Sequence, residues 1–303
     1  MRLPDFTKLL MMVGLFLIPR FALADVKISI KFNSGWANIS GGDVNHGTKA
    51  FYDWGKIYFA LPPEGLIEGG FTPIHQGYEI GGDLIFELSP KLGVGIGGGY
   101  LQMSRPFEPT IMRIYQNPQD PMPYCFSEST ELSAIPIRLG LFLSLPLVGK
   151  IEIAAHSELS LCLKARYHAD WYAYQYWSIG SGPSQHFSTT AEKKFFLLGL
   201  HGGLGFEYRL IQGIGLFIEG QGRYARIRGL KGTSISEAPE GGELLPSFSE
   251  IGKLYYESVP MLPNSPRLIM VQSDPPPGPD GEPRLAVVDF SGVSLQAGIR
   301  IRL

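Results

Sequence analysis

The sequence predicts an all-β fold, an eight-stranded antiparallel up-and-down transmembrane β-barrel with short periplasmic turns and long outer loops. The last eleven residues alternate strictly, with Ile299, Ile301 and Leu303 on one face and Arg300 and Arg302 on the other. Such alternation is typical of a strand that turns an apolar face to lipid and a charged face to a lumen. Seven similar segments precede this one, and long and short connections alternate between them.

The first 24 residues predict a secretory signal peptide. Arg2 and Lys8 precede an apolar run over residues 9–18, and Ala22 and Ala24 occupy the −3 and −1 positions of a cleavage site. The run is too short for a spanning helix, which needs about 20 residues. We therefore expect an exported barrel domain over residues 25–303, located in the outer membrane.

Composition excludes several function classes. Lys and Arg number 26 against 28 Asp and Glu, which gives no reason to propose a nucleic-acid partner. The 38 glycines and the many Tyr and Phe residues, without a sustained helical period, favour strands and turns. With only two cysteines the chain is not a disulfide scaffold, and we expect Cys125 and Cys162 to stay unpaired.

The predicted strands share one apolar face and one polar or small face. The fourth has the longest apolar stripe, from Ile135 to Leu145, and the third carries glycines on its second face. Those glycines leave volume for long side chains from other strands. The predicted strands cover about residues 26–33, 78–88, 92–100, 135–145, 151–166, 196–210, 214–224 and 285–303.

The connections between the strands predict the orientation of the barrel. Short turns lie near residues 89–91, 146–149 and 212–213, whereas irregular loops are predicted near 41–76, 106–130, 171–192 and 231–284. An even-numbered barrel with both termini in the periplasm has short turns and long loops in this alternating order. A soluble eight-stranded barrel is the alternative. In a soluble barrel the apolar faces would point into the lumen, which has room for only one small ligand. The Leu and Ile side chains of all eight strands would not fit there, so we favour the membrane barrel.

This pattern resembles the small eight-stranded outer-membrane barrels of Gram-negative bacteria, the OmpA membrane-domain and OmpX type. The resemblance covers the whole mature chain and is one of pattern, without a diagnostic motif. Members of the type usually end in Phe or Trp, whereas this chain ends in Leu303. The resemblance implies three partners: outer-membrane lipid and lipopolysaccharide, the barrel-assembly machinery during biogenesis, and an extracellular ligand at the outer loops. We expect no cofactor.

The polar faces of the strands predict a charged and plugged lumen. Eight strands enclose a space that side chains can fill. Unpaired charge in such a space is costly, so we expect its cations and carboxylates to pair. The predicted lumen charge network consists of Lys27, Lys31, Glu79, Asp83, Glu87, Arg138, Glu152, Glu158, Lys164, Arg166, Glu207, Arg209, Glu219, Arg223, Arg300 and Arg302.

Two other motifs have structural explanations. Gly93, Gly95 and Gly98 match the dinucleotide-binding fingerprint, but a strand and not a helix is predicted to follow them. Two inward-facing histidines, His156 and His201, could form a proton-sensitive cluster or a weak metal site with Glu158. Since the sequence has no zinc-type spacing such as H-E-x-x-H, we expect a carboxylate-bonded histidine and no metal.

A catalytic alternative rests on His186, Ser188 and Glu192. Lipid A deacylases are also eight-stranded barrels, with a His, a Ser and a Glu at the outer lipid interface. His-x-Ser spacing on a strand places nucleophile and base on one face, but the neighbouring glycines and threonines predict a loop here. The leading hypothesis is therefore a non-enzymatic structural or surface-interaction protein. A lipid-modifying enzyme and a narrow pore or solute channel are the alternatives.

Overall fold

The computed structural model describes residues 27–59, 66–104, 110–115, 124–177, 180–237, 247–258, 267–278 and 280–303; the predicted signal peptide lies outside this part of the chain. The described residues form one antiparallel β-sheet and one helix. The elements are β1 (Lys27–Gly42), α1 (Asp43–Phe59), β2 (Leu66–Gly69), β3 (Gln76–Ser89), β4 (Leu92–Ser104), β5 (Thr110–Tyr115), β6 (Tyr124–Val148), β7 (Ile151–Trp177), β8 (Gly180–Ile211), β9 (Ile214–Arg228), β10 (Lys231–Glu237), β11 (Phe248–Ser258), β12 (Arg267–Gln272) and β13 (Val287–Arg302).

Eight of these strands pair in a ring. The order is β1, β3, β4, β6, β7, β8, β9 and β13, and β13 pairs again with β1, where Ile301 lies opposite Ile30. Each predicted strand corresponds to one strand of the ring, and the three predicted short turns join β3 to β4, β6 to β7 and β8 to β9. The alternation in the sequence thus identified the ring strands.

The prediction of long irregular loops is wrong, because the described chain has thirteen strands and not eight. The first predicted loop contains α1 and β2, the second contains β5, and the last contains β10, β11 and β12. β10 pairs with β8 and β11, while β5 pairs with β6 and β2.

A bulge in β7 changes which residues face inward. Pro136 of β6 lies opposite Cys162 and Ile135 lies opposite Lys164, so Leu163 is an extra residue relative to β6. Even-numbered residues from Glu158 to Cys162 are buried on the turn side of the bulge, and odd-numbered residues from Ala165 to Ala169 are buried beyond it. We call the part of the sheet beyond this level, with β2, β5, β10, β11 and β12, the extension.

An apolar core fills the ring at the end where the extension begins. Ala37, Leu101, Met103, Ala134 and Ala225, from four different ring strands, are each at most 1% exposed. Cys125 and Cys162 are both buried. Because strands from around the ring contribute to this core, its side chains close the interior at this level.

Helix α1 is attached to the same end of the ring. The positive φ of Gly41 and Gly42, 73° and 64°, ends β1 and turns the chain. The Asn45 side-chain amide donates to the Ser40 and Ile74 carbonyl oxygens at 2.9 and 3.0 Å, and its oxygen accepts from the Ile74 backbone amide at 2.7 Å. Asp43 accepts from the Val287 backbone amide at 2.9 Å. In the described part of the chain, no helix is long and apolar enough to cross a membrane.

Glu257 is a carboxyl group buried in the extension. It lies on β11 and is 6% exposed. Burial raises its pKa to about 7, against a smaller lowering by a hydrogen bond from Gln272. An unfolded chain ionises this group near its ordinary pKa of 4.5. The folded extension therefore holds a proton on Glu257 between about pH 4.5 and about pH 7, whereas the unfolded chain does not.

We expect Glu257→Gln to remove a pH-dependent destabilisation of the extension. In the wild type, the contribution of Glu257 to stability is highest below about pH 4.5 and falls by roughly 2–3 kcal/mol as the pH rises to about 7. Hydrogen-exchange protection of β11 and β12 should therefore decrease between pH 5 and pH 8 in the wild type and stay constant in the variant. Glu282→Gln, at an exposed residue, should behave as the wild type. Equal protection of wild type and Glu257→Gln at both pH values would contradict this.

Candidate functional site

The interior of the ring between the turn end and the apolar core contains two layers of charged side chains. The layer at the turn end is called the mouth layer, and the layer between it and the apolar core is called the middle layer. The mouth layer consists of Glu87, Glu152, Glu207, Arg209, Arg300 and Arg302, and the middle layer of Lys31, Glu79, Asp83, Arg138, Glu158, Glu219 and Arg223, with His156 and His201.

The mouth layer is organised by the two arginines at the end of β13. Arg300 lies 3.0 Å from Glu87 and 3.3 Å from Glu207, while Arg302 lies 2.6 Å from Glu207 and 2.8 Å from Glu152. A cavity of about 1060 Å³ opens at this end, and Lys27 lies at its rim. The arginines thus bind carboxylates from β3, β7 and β8 and tie β13 to three other strands.

Arg138 is the centre of the middle layer. It is 2% exposed, and its guanidinium lies 3.6 Å from Glu79, 3.2 Å from Asp83 and 3.6 Å from Glu158. The glycine face of β4 makes room for this arrangement, since a Cβ atom on Gly97 would collide with the Asp83 carboxylate. Two further ion pairs complete the layer: Arg223 with Glu79 at 2.8 Å and Lys31 with Glu219 at 2.6 Å.

The prediction that Lys164 and Arg166 belong to the lumen is wrong. Both lie beyond the bulge at Leu163, on the outer surface of the extension, and Lys164 pairs with Glu192 at 2.8 Å. The other predicted lumen residues lie inside the ring or at its rim. Of the predicted set, seven cations and seven carboxylates therefore remain in the lumen.

The two lumen histidines both meet Glu158. Nδ1 of His201 lies 2.7 Å from Glu158 Oε2, and Nδ1 of His156 lies 3.4 Å from the same oxygen. The opposite ring nitrogens have their own neighbours: Nε2 of His201 is 3.0 Å from Gln221 Oε1, and Nε2 of His156 is 3.5 Å from Glu219 Oε1. One ligand atom from each of His156, Glu158 and His201 lies within 4.8 Å of the others, a spacing that could hold a metal ion.

The residues of the catalytic alternative lie on β8 and not in a loop. Nε2 of His186 is 3.3 Å from Asp170, and its ring stacks on Tyr172 with centroids 4.5 Å apart. Ser188 donates its hydroxyl hydrogen bond to Asp170, which lies opposite it on β7. Glu192 pairs with Lys164 at 2.8 Å and Lys194 at 3.0 Å. The structure therefore places the three residues on one strand without linking Ser188 to His186 or His186 to Glu192.

Asp170 is the carboxylate at the centre of this outer group. Partial burial raises its pKa, but the Ser188 hydrogen bond and the nearby His168 and His186 outweigh burial and hold the pKa below its usual value. His168 Nε2 lies 2.8 Å from the same carboxylate. The lowered pKa makes Asp170 a weak base, which is poorly suited to take the proton of a serine nucleophile.

No protein-family model matches the chain, and no curated protein matches it. Solved structures that are similar to it include three outer membrane proteins. OprG, an outer membrane protein from Pseudomonas aeruginosa, is 9% identical with a TM-score of 0.34, covering 92% of this chain and 96% of that one. A major outer membrane protein from Thermus thermophilus is 14% identical with a TM-score of 0.33, covering 92% and 99%. The outer membrane protease OmpT from Escherichia coli is 9% identical with a TM-score of 0.29, covering 93% and 100%. Similarities at these TM-scores do not assign a family or an activity.

Proposed function

We propose that this chain is an outer-membrane β-barrel protein of the small eight-stranded type, with a plugged lumen and a structural or surface-interaction role. One observation carries the proposal: the polarity of the ring is inverted relative to a water-soluble protein. Large apolar side chains are exposed on the outside of all eight ring strands, among them Phe32, Ile80, Ile96, Leu139, Leu161, Leu204, Ile218 and Leu295. Arginines, lysines and carboxylates are buried inside.

The inverted polarity favours lipid over water as the surroundings of the ring. Leu139, Leu204 and Phe206 are 56%, 63% and 55% exposed, and such residues continue around the ring without a charged break. Soluble monomers rarely expose a contiguous apolar patch larger than about 600 Å². A membrane barrel needs such a band, about 25 Å tall, between its two interfaces.

Aromatic and basic side chains at the boundary of the extension support outer-leaflet lipid as a partner. On β9, Tyr224 is followed on the same outward face by Arg226 and Arg228. On β8, Phe195 is 79% exposed beside Lys194. Aromatic residues suit the membrane interface. Basic residues just beyond them suit the phosphates of lipopolysaccharide, and this geometry favours an outward-facing extension and a periplasmic turn end.

The same barrel would use the barrel-assembly machinery for insertion and would present the extension to extracellular ligands. The non-enzymatic role is favoured by the contacts of Ser188, whose hydroxyl bonds to Asp170, a weak base because its pKa is lowered, and not to His186. The lipid A deacylase alternative has a direct test: expression of the wild type would alter lipid A, and Ser188→Ala would abolish the change. On our proposal, lipid A is the same with the wild type, with Ser188→Ala and without the protein.

We expect the refolded protein to carry no steady current in a planar bilayer. The charged layers and the apolar core occupy successive levels of the ring interior, and α1 lies against the outer end. The same sample should migrate faster on a gel before boiling than after boiling, because a folded barrel remains compact in detergent. A stable and reproducible current would contradict the plugged lumen and make transport the leading function.

A further inference from the structure

The hydrogen bonds around His201 leave two acceptors facing each other. The Gln221 amide nitrogen donates to Glu219 and, at 3.0 Å, to Gln296, which fixes the Gln221 amide oxygen toward His201. Nε2 of His201 must therefore carry the proton that is donated to this oxygen at 3.0 Å. In a neutral imidazole the lone pair is then on Nδ1, which lies 2.7 Å from the Glu158 carboxylate. Because both His201 Nδ1 and the Glu158 carboxylate oxygen are acceptors, a positively charged species is needed between them.

The second histidine repeats the arrangement. Nε2 of His156 lies toward Glu219 at 3.5 Å, and its Nδ1 lies toward Glu158 at 3.4 Å. Within the described residues, neither His156 nitrogen nor Oε1 of Glu158 completes a hydrogen bond, although the side chains of His156 and Glu158 are 5% and 1% exposed. Gly203 makes room for this ring, because a Cβ atom there would collide with His156 Nε2. Buried polar groups without a hydrogen bond require another binding partner.

The charges of the middle layer show what the partner must be. Within the described residues, this layer sets four carboxylates against three permanent cations, so one negative charge is left over while the histidines are neutral. A proton or a metal ion could supply the missing positive charge. A proton on His201 would satisfy only the 2.7 Å contact and would leave His156 without a hydrogen bond.

We propose that His156, Glu158 and His201 bind a divalent first-row transition-metal ion inside the lumen. Two imidazoles and one carboxylate are ligands that such ions accept at about 2.0–2.2 Å. In metal sites the other nitrogen of a ligating histidine is usually held by a carboxylate or carbonyl group. Glu219 and the Gln221 amide oxygen occupy these positions here.

The surroundings of the cluster allow a fourth ligand and an access route. A cavity of about 20 Å³, lined in part by His156 and Glu219, has room for one water molecule. Arg300 and Phe142 line both this cavity and the larger cavity of about 1060 Å³ at the turn end. An ion would therefore enter from the turn end and pass Arg300. Because this arginine narrows the route, we expect metal to load faster during refolding than afterwards.

The experiment is a Zn²⁺ titration of the full mature chain, refolded with and without Zn²⁺ after chelator treatment. We expect about one tightly held Zn²⁺ per barrel in the wild type, and at least about tenfold weaker binding in His156→Gln and in His201→Gln. His168→Gln is the matched control, since His168 also contacts a carboxylate but lies on the outer surface. Its affinity should equal that of the wild type.

Two outcomes would overturn the proposal. Retention of no Zn²⁺ by the wild type under either protocol would mean that the missing charge is a proton. Equal binding by the wild type and both lumen variants would place the ion elsewhere on the chain. If the variants do not show the folded gel mobility, the urea midpoint of the wild type decides, because Zn²⁺ must raise it if the ion binds the folded barrel. Failure of this proposal would leave the sealed-barrel proposal intact, since that one is tested by conductance.

Discussion

Replacing Arg138 by Met is expected to destabilise the barrel by about 3–5 kcal/mol, because removal of one member of a buried ion network leaves uncompensated charge. The guanidinium lies within 3.6 Å of Glu79, Asp83 and Glu158. Met is unbranched and similar in length, so the packing loss is small beside the electrostatic one. The free energy of unfolding in urea, measured in lipid vesicles by gel mobility, gives the effect.

Arg166→Met is the matched control for this substitution. It removes the same side chain, but Arg166 is exposed on the extension, and we expect a change of no more than about 0.5 kcal/mol. Adding Asp83→Asn to Arg138→Met should recover part of the loss, since it removes one of the uncompensated carboxylates. If Arg138→Met costs no more than Arg166→Met, the middle layer does not depend on its ion pairs.

Replacing Leu139 by Lys is expected to cost about 2–4 kcal/mol if the ring lies in lipid, because this is the cost of a lysine at the midplane of a membrane barrel. Leu139 lies midway along the apolar stripe of β6 and is 56% exposed. In water a lysine at such an exposed position changes stability by no more than about 0.5 kcal/mol. The unfolding free energy in vesicles therefore distinguishes the two surroundings.

Ile251→Lys is the control for Leu139→Lys. Ile251 is 74% exposed on β11, which belongs to the extension and not to the ring. We expect a negligible change there, because our proposal places the extension outside the membrane, in water. Similar costs for both substitutions, or a negligible cost for Leu139→Lys, would show that the ring is not surrounded by lipid.

The sequence predicted the ring strands well because alternation has one structural meaning in a strand, namely two faces in different surroundings. It predicted α1 and the strands of the extension poorly. Asp43, which accepts from the Val287 backbone amide, anchors α1 through a contact 244 residues distant in sequence. A contact between residues so distant in sequence cannot be detected from the local periodicity of apolar residues. Short strands such as β2 and β5 form because they pair with each other and with the long β6.

The middle layer was predicted in membership but not in arrangement. Alternation places Glu158 and His201 inward, yet it cannot say that they lie opposite each other on β7 and β8. The error at Lys164 and Arg166 has a different cause. Apolar residues continue at odd positions through Leu163, Ala165 and Tyr167, so the pattern in the sequence is unbroken. Hydrophobicity alone does not state whether an apolar face meets lipid or a protein core.

The bulge at Leu163 therefore separates two parts of β7 whose apolar faces point in opposite directions. The stripe of odd-numbered residues along β7, apolar except for Ser157, faces outward before Leu163, as in a membrane protein, and inward beyond it, as in a soluble one. If Leu163 instead paired as a regular strand residue, without the bulge, the alternation would carry the extension inside out, with Arg166 and His168 in the core and Tyr167 in water. A single β-bulge thus lets one alternating sequence present apolar side chains to lipid at one end of a strand and polar side chains to water at the other.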